Sequence, residues 1–156
     1  MNTQDSRPLT ILLVDDDLDC RMLIHDALTS SHSDAEVFEV GSGEDAIEFL
    51  SHCGEHSVAS RPSLIYLDVE MPGMGGLEAL RRIRARRDLR DVPIVMMTGV
   101  CDPEQMKQAA QFGANSYTLK PANAEQFLRM VQASMNYWLT IHQYPEHHIP
   151  AEACRS

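Results

Sequence analysis

Ile11-Leu12-Leu13-Val14-Asp15-Asp16-Asp17 sets four aliphatic residues directly against three carboxylates. An apolar run with no alternation reads as a strand buried on both faces, the kind found in parallel sheets covered by helices. The acids then fall at the strand's carboxyl end. The same design recurs three times: Leu64-Ile65-Tyr66-Leu67 runs into Asp68, Ile94-Val95-Met96-Met97 into Thr98, and Tyr117-Thr118-Leu119 into Lys120. In an open parallel sheet the carboxyl ends of the strands form the crevice where ligands bind. Asp15, Asp16, Asp68, Thr98 and Lys120 would therefore converge on one spot, a site suited to a divalent metal and a phosphoryl group.

Outward from these runs, strand and helix signals alternate five times, which places the chain in the α/β class with helices on both faces of a parallel sheet. The first strand is expected over Leu9 to Val14 and the first helix over Leu18 to Ser30, with Asp17 as its N-cap. The apolar stripe of that helix is Cys20, Leu23, Ile24, Ala27 and Leu28. A second strand over Glu36 to Val40 ends at Gly41-Ser42-Gly43, and a short helix carrying Ala46, Ile47, Phe49 and Leu50 follows. The polar stretch His52 to Pro62 is an exposed connection. His52 and His56 have helical i,i+4 spacing but no third ligand nearby, so a surface loop is the reading.

After Asp68 comes Val69-Glu70-Met71-Pro72-Gly73-Met74-Gly75-Gly76, which lacks both GxGxxG and GxxxxGK[ST] and so reads as a tight turn beside Asp68, not as a nucleotide loop. The third helix has the stripe Leu77, Leu80 and Ile83. A fourth strand over Pro93 to Met97 leads to a helix with Asp102 as N-cap, Pro103 at its first position and a stop at Gly113. The fifth strand spans Asn115 to Leu119, and Asn123 can cap the last helix.

Composition limits the function classes. The 156 residues are enough for one core without staples, and 44% are hydrophobic. No apolar run approaches the roughly 20 residues of a membrane span, and Met1 to Asp5 opens no signal peptide, so the cytoplasm is the expected location. Cys20, Cys53, Cys101 and Cys154 lack metal spacing and read as reduced thiols. A formal net charge of −10 argues against DNA or other nucleic acid as a partner. The basic cluster Arg81, Arg82, Arg84, Arg86, Arg87 and Arg90 reads as a solvated outer face, with an acidic docking partner as the alternative.

Leu13-Val14-Asp15-Asp16, Leu67-Asp68 with Met71-Pro72-Gly73, Thr98-Gly99 and Leu119-Lys120-Pro121 together resemble the receiver domain of bacterial response regulators, over about Leu9 to Tyr137. The resemblance implies a doubly wound five-stranded parallel sheet in the flavodoxin-like order 2-1-3-4-5. It implies phosphorylation of Asp68 by a sensor histidine kinase. Asp16 and Asp68 would ligate Mg²⁺ with the backbone carbonyl of Glu70, and Asp15 would act mostly through a bound water. Thr98 and Lys120 would read the phosphoryl oxygens, and Tyr117 would be the aromatic that moves inward as Thr98 is drawn to them. Glu70 departs from the neutral or smaller side chain that many relatives carry there, and it adds negative charge at the mouth of the site.

The chemistry stands beside that likeness. A carboxylate attacking a phosphohistidine is an anion approaching anionic oxygens, so positioning and charge neutralisation dominate. A divalent cation keeps adjacent carboxylates ionised, a lysine supplies a compact cation and a threonine donates its hydroxyl. The rival from the enzyme class is a Mg²⁺-dependent phosphatase or phosphotransferase with an aspartyl-phosphate intermediate. The haloacid dehalogenase type would want Asp, not Glu70, two residues past the nucleophile. The chain also offers no cap-domain signal, so a non-enzymatic phosphoacceptor switch is the reading.

Residues 1–8 and 145–156 are expected to be tails around a receiver domain at 9–144, with no output domain. The last helix puts Phe127, Val131, Met135, Trp138 and His142 on one face, while Met130, Ala133, Tyr137, Ile141 and Tyr144 supply further apolar surface. That surplus, centred on Trp138, Ile141 and Tyr144, predicts contact with a second copy. Asn136 to Ile141 followed by Pro145, with the long connection before the third strand, also resembles the small stand-alone receivers paired with phytochrome-type kinases.

Overall fold

The structure, a computed structural model, describes residues 9–31, 34–53 and 61–141. Strands and helices alternate: β1 (Thr10–Val14), α1 (Leu18–Ser31), β2 (Glu36–Val40), α2 (Gly43–Ser51), β3 (Leu64–Asp68), α3 (Gly75–Ala85), β4 (Ile94–Thr98), α4 (Pro103–Gln111), β5 (Ser116–Leu119) and α5 (Ala124–Asn136). A 3₁₀ turn at Arg87–Leu89 precedes β4, and a π turn at Tyr137–Ile141 follows α5. The sheet order is β2-β1-β3-β4-β5 with every pairing parallel, as the doubly wound reading requires.

The two-residue period of a strand explains how an unbroken apolar run serves two cores. In β1, Leu12 and Val14 face a cluster with Ile65, Leu67, Ile94 and Met96 that α2, α3 and α4 cover through Leu50, Leu80, Ile83 and Ala109. Ile11 and Leu13 face the other side with Leu64, Tyr66, Val95 and Met97, under Ile24 and Leu28 of α1 and Phe127 and Val131 of α5. All five residues of β1, β3 and β4 are buried, whereas the edge strands β2 and β5 are half-exposed.

Helix starts follow their caps. Asp17 accepts the N–H of Asp19, Ser42 that of Asp45, Asp102 those of Glu104 and Gln105, and Asn123 those of Glu125 and Gln126. Gly113 ends α4 with φ +98°.

Two expectations change. The final helix does not continue as a regular α-helix through Trp138, because the π turn intervenes; Trp138 is only 9% exposed and packs with Phe127, Val131 and Met135 in the α1–α5 core. Trp138 is therefore not surplus surface, and of the described aromatics there Tyr137, edge-on to Trp138, is the exposed one. His142 and Tyr144 lie outside the described residues, as do His56 and Cys154. The second change is Arg84, which is not a solvated side chain: it donates to the carbonyls of Gly113 and Leu89 and to Asn115 Oδ1, tying α3 to the turns that flank β4. Arg81 and Arg82 pair with Glu78, and Arg86 with Asp88, on the surface as expected.

Candidate functional site

The five residues named from the strand ends all lie at the carboxyl edge of the sheet, and Asp15, Asp16, Asp68 and Lys120 meet there. Asp15 follows β1, is 1% exposed, and has every polar atom committed. Its N–H donates to the Val40 carbonyl at 3.2 Å and its carbonyl accepts Arg21 Nη1 at 2.7 Å. Its Oδ1 accepts the N–H of Asp17 at 2.8 Å, and its Oδ2 accepts Lys120 Nζ at 2.7 Å. Asp68 closes β3, is 4% exposed, and lies 3.2 Å from Lys120 Nζ. Lys120 reaches this position because the parallel ladder runs on past β5, its N–H donating to the Thr98 carbonyl at 2.7 Å. Asp16 is exposed, and one carboxylate oxygen from each of Asp15, Asp16 and Asp68 lies within 4.8 Å of the others.

Burial first, and the charge of Asp15 second, push the Asp68 carboxyl up to about 7 against the opposing pull of Lys120 and the Glu70 backbone. Burial also works against the Lys120 ammonium, but the hydrogen bond and charge of Asp15 and the charge of Asp68 outweigh it and hold that group above its ordinary range. With one ammonium for three carboxylates, the pocket carries surplus negative charge. Its donors are all oxygen, which fits a hard divalent cation and not a thiolate or imidazole metal. Burial raises the Cys20 thiol to about 11, so it is no thiolate ligand at neutral pH.

The loop after Asp68 owes its path to glycine. Gly73 and Gly75 have φ of +79° and +74°, and a Cβ on Gly76 would sit 1.9 Å from the Asp68 carbonyl oxygen. The Gly76 N–H donates to the Val69 carbonyl at 3.0 Å, so α3 begins directly against the end of β3. Glu44 of α2 holds the loop from outside by accepting the Met74 N–H at 2.5 Å.

Thr98 closes β4 with no exposed surface. Its hydroxyl donates to Glu70 Oε1 at 2.6 Å, lies 3.2 Å from the Val100 carbonyl, and accepts the Val100 N–H at 3.1 Å. Tyr117 on β5 is half-buried, and its hydroxyl is buried beside Thr98 with no hydrogen bond of ordinary geometry. Burial pushes that phenol up. Arg21, Glu44 and the bond between Glu70 and Thr98 are the features that the sequence does not foretell. Arg21 and Glu44 each look like an ordinary surface residue of a first or second helical turn, and only the fold brings them to the strand ends.

Comparison with known proteins agrees with this geometry. The family profile described as "Response regulator receiver domain" matches residues 11–132. The response regulator Rcp1 of Synechocystis sp. is 31% identical over 139 residues, covering 89% of this chain and 95% of Rcp1. A probable chemotaxis protein CheY of Rhizobium etli is 28% identical, covering 80% of this chain and 91% of that protein. Among solved structures, the phosphorylated cyanobacterial phytochrome response regulator RcpA superposes with a TM-score of 0.83 at 31% identity, covering 89% of this chain and 99% of RcpA. The Mn²⁺-bound form of Rcp1 gives 0.81 at 31% identity, covering 88% and 99%.

Proposed function

The chain belongs to the response regulator receiver domains, the phosphoacceptor modules of two-component signalling, and from that premise we propose that Asp68 is its phosphoacceptor. The observation that carries the assignment is the meeting of a buried carboxylate, an ammonium 3.2 Å away and a buried hydroxyl at the ends of β3, β5 and β4. One Asp68 oxygen attacks the phosphorus of a phosphohistidine. A P–O bond forms as the P–N bond breaks, and the electron pair leaves on the imidazole nitrogen. Lys120 balances charge on a phosphoryl oxygen and Thr98 donates its hydroxyl to another.

Asp16 and Asp68 would hold Mg²⁺ with the Glu70 carbonyl, and Asp15, already committed to Lys120 and Asp17, would reach it through water. Bound there, the cation supplies charge neutralisation for the transfer. That Rcp1 has a Mn²⁺-bound form supports a divalent ion as the cofactor of this chain.

The donor in this proposal is a sensor histidine kinase of phytochrome type, supported by the likeness to Rcp1 and RcpA over nearly nine-tenths of the chain. Signalling proceeds through protein contacts in the cytoplasm, without DNA binding. No described helix is long and apolar enough to cross a membrane. Self-association through the C-terminal region is supported by exposed Tyr137, and sedimentation with and without phosphorylation tests it. A non-enzymatic switch is favoured over phosphatase turnover because the residue two past Asp68 is Glu70, not Asp, and its carboxylate accepts the Thr98 hydroxyl.

Incubation with a small phosphodonor and Mg²⁺, followed by intact mass and peptide mapping, tests the assignment. One phosphoryl group on Asp68, lost in Asp68→Asn, is expected. Label on another residue, or continuous turnover of phosphate esters, overturns it.

A further inference from the structure

Thr98 has one hydroxyl proton, and in this structure that proton is already taken. The Glu70 carboxylate accepts it at 2.6 Å, a short, charge-assisted contact, while the Val100 carbonyl is a longer alternative at 3.2 Å. Thr98 is fully buried, so water does not compete for it, and Val100 N–H fixes its oxygen from behind at 3.1 Å. Glu70 is exposed and reaches back from the rim of the β3–α3 loop. Its carboxylate can therefore swing into solvent without breaking the core.

A phosphoryl group on Asp68, two residues before Glu70, would need the same proton. Its oxygens are anionic, and so is Glu70, so the two cannot share it. Either acceptor excludes the other. Beside this contested proton lies the buried Tyr117 hydroxyl, which interacts with Thr98 without a hydrogen bond of ordinary geometry, so a change at Thr98 is felt there directly.

We propose that Glu70 is a positioning residue that latches Thr98 in the unphosphorylated protein, through the Glu70–Thr98 hydrogen bond, and is expelled into solvent when a phosphoryl group occupies Asp68. The inference rests on the Asp68 assignment above. Glu70 then opposes the switch at Thr98 rather than the bond-making at Asp68. Removing the latch releases the hydroxyl in advance and makes the phosphorylated arrangement easier to reach.

The test uses Glu70→Ala and Glu70→Asp in the full chain, alone and combined with Thr98→Val. The Asp variant keeps the charge but is shorter by one carbon–carbon bond, roughly 1.5 Å, and cannot span the gap. The first readout is the affinity for beryllofluoride, a non-covalent phosphoryl mimic, in the presence of Mg²⁺. The second is the amide resonance of Val100 in the unphosphorylated protein, which reports the Thr98 oxygen.

Both single variants should bind beryllofluoride about tenfold more tightly, the factor expected of one charge-assisted hydrogen bond. Both should also move the Val100 resonance toward its beryllofluoride-bound position. In the Thr98→Val background the two Glu70 substitutions should change nothing. If Glu70→Asp behaves as the parent, or the Glu70→Ala effect survives in Thr98→Val, Glu70 acts only as a charge at the mouth and the latch is overturned. Labelling of Asp68 with indifferent Glu70 variants refutes the latch alone. Absence of both label and beryllofluoride binding in the parent refutes the Asp68 assignment together with it.

Discussion

Asp15 and Thr98 flank Asp68 from β1 and β4, the two strands that pair with β3, and both are buried, yet they are built in opposite ways. Each polar atom of Asp15 has a partner of its own: the Val40 carbonyl, Arg21, Asp17 and Lys120. Thr98 has one proton and two acceptors for it, and next to it sits a hydroxyl with no hydrogen bond of ordinary geometry. A group with every bond made has one arrangement, whereas a group with competing acceptors has a second one open to it. The β1 side is thus a fixed frame for charge, and the β4–β5 side is where a conformational response can begin.

The frame should be the costlier side to disturb. Gly76→Ala is the severest test, because a methyl group 1.9 Å from the Asp68 carbonyl oxygen forces α3 and β3 apart. A loss of about 4 kcal/mol or more in urea unfolding is expected, together with loss of phosphoryl uptake. A stable, active Gly76→Ala protein would show that the loop is not held against β3.

Next in size is the pH dependence carried by Asp68. Its carboxyl is raised in the folded protein to about 7, from an unfolded value of 3.8, so the native state binds the extra proton between these limits. Without metal, the contribution of Asp68 to stability should be full below about pH 4 and fall as pH rises toward 7, by up to a few kcal/mol. Asp68→Asn should remove this part of the slope, and Mg²⁺ should flatten it in the parent. Equal slopes in the parent and Asp68→Asn would mean that the charge is not stored at this residue.

Much of the frame was legible in the sequence because it depends on residue type at strand ends. The apolar runs of β1, β3 and β4, the caps at Asp17, Asp102 and Asn123, and the Lys120-Pro121 break each have a local physical cause. Trp138 joins Phe127, Val131 and Met135 in the α1–α5 core, as their shared helical face implies, but the π turn that follows α5 is not encoded by a 3.6-residue stripe. Arg84 looked like one more member of a basic face because its acceptors at Gly113, Leu89 and Asn115 are brought to it only by tertiary packing. The Glu70–Thr98 contact was invisible for the same reason. Two polar residues 28 positions apart meet only because β3 and β4 are neighbours.

Asp16 sharpens the comparison from the solvent side, being the exposed member of the acidic trio. Asp16→Ala should weaken Mg²⁺ binding at least about tenfold by removing one charged oxygen ligand. It should also leave the metal-free fold as stable as the parent or more so, since a crowded carboxylate disappears. Titration that shows unchanged Mg²⁺ affinity would remove Asp16 from the ligand set.

The smallest effect belongs to Tyr117, and it bears most directly on the movable side. Its ring is half-buried on β5, while its hydroxyl is buried beside Thr98 with no hydrogen bond of ordinary geometry. Leaving a hydroxyl unpaired in the interior is unfavourable, so deleting the oxygen while keeping the ring should be neutral or stabilising by up to about 1 kcal/mol. Tyr117→Phe is the substitution, and urea unfolding of the unphosphorylated protein is the measurement. Had the hydroxyl been locked as Asp15 is, the same deletion would cost about 1 kcal/mol or more. A loss of that size would mean that Tyr117 is bonded in the resting protein and that the β4–β5 side is as fixed as the β1 side. An unchanged or raised stability, with a weakened response to phosphorylation, would locate the free hydroxyl as a group that finds its partner only when Thr98 moves.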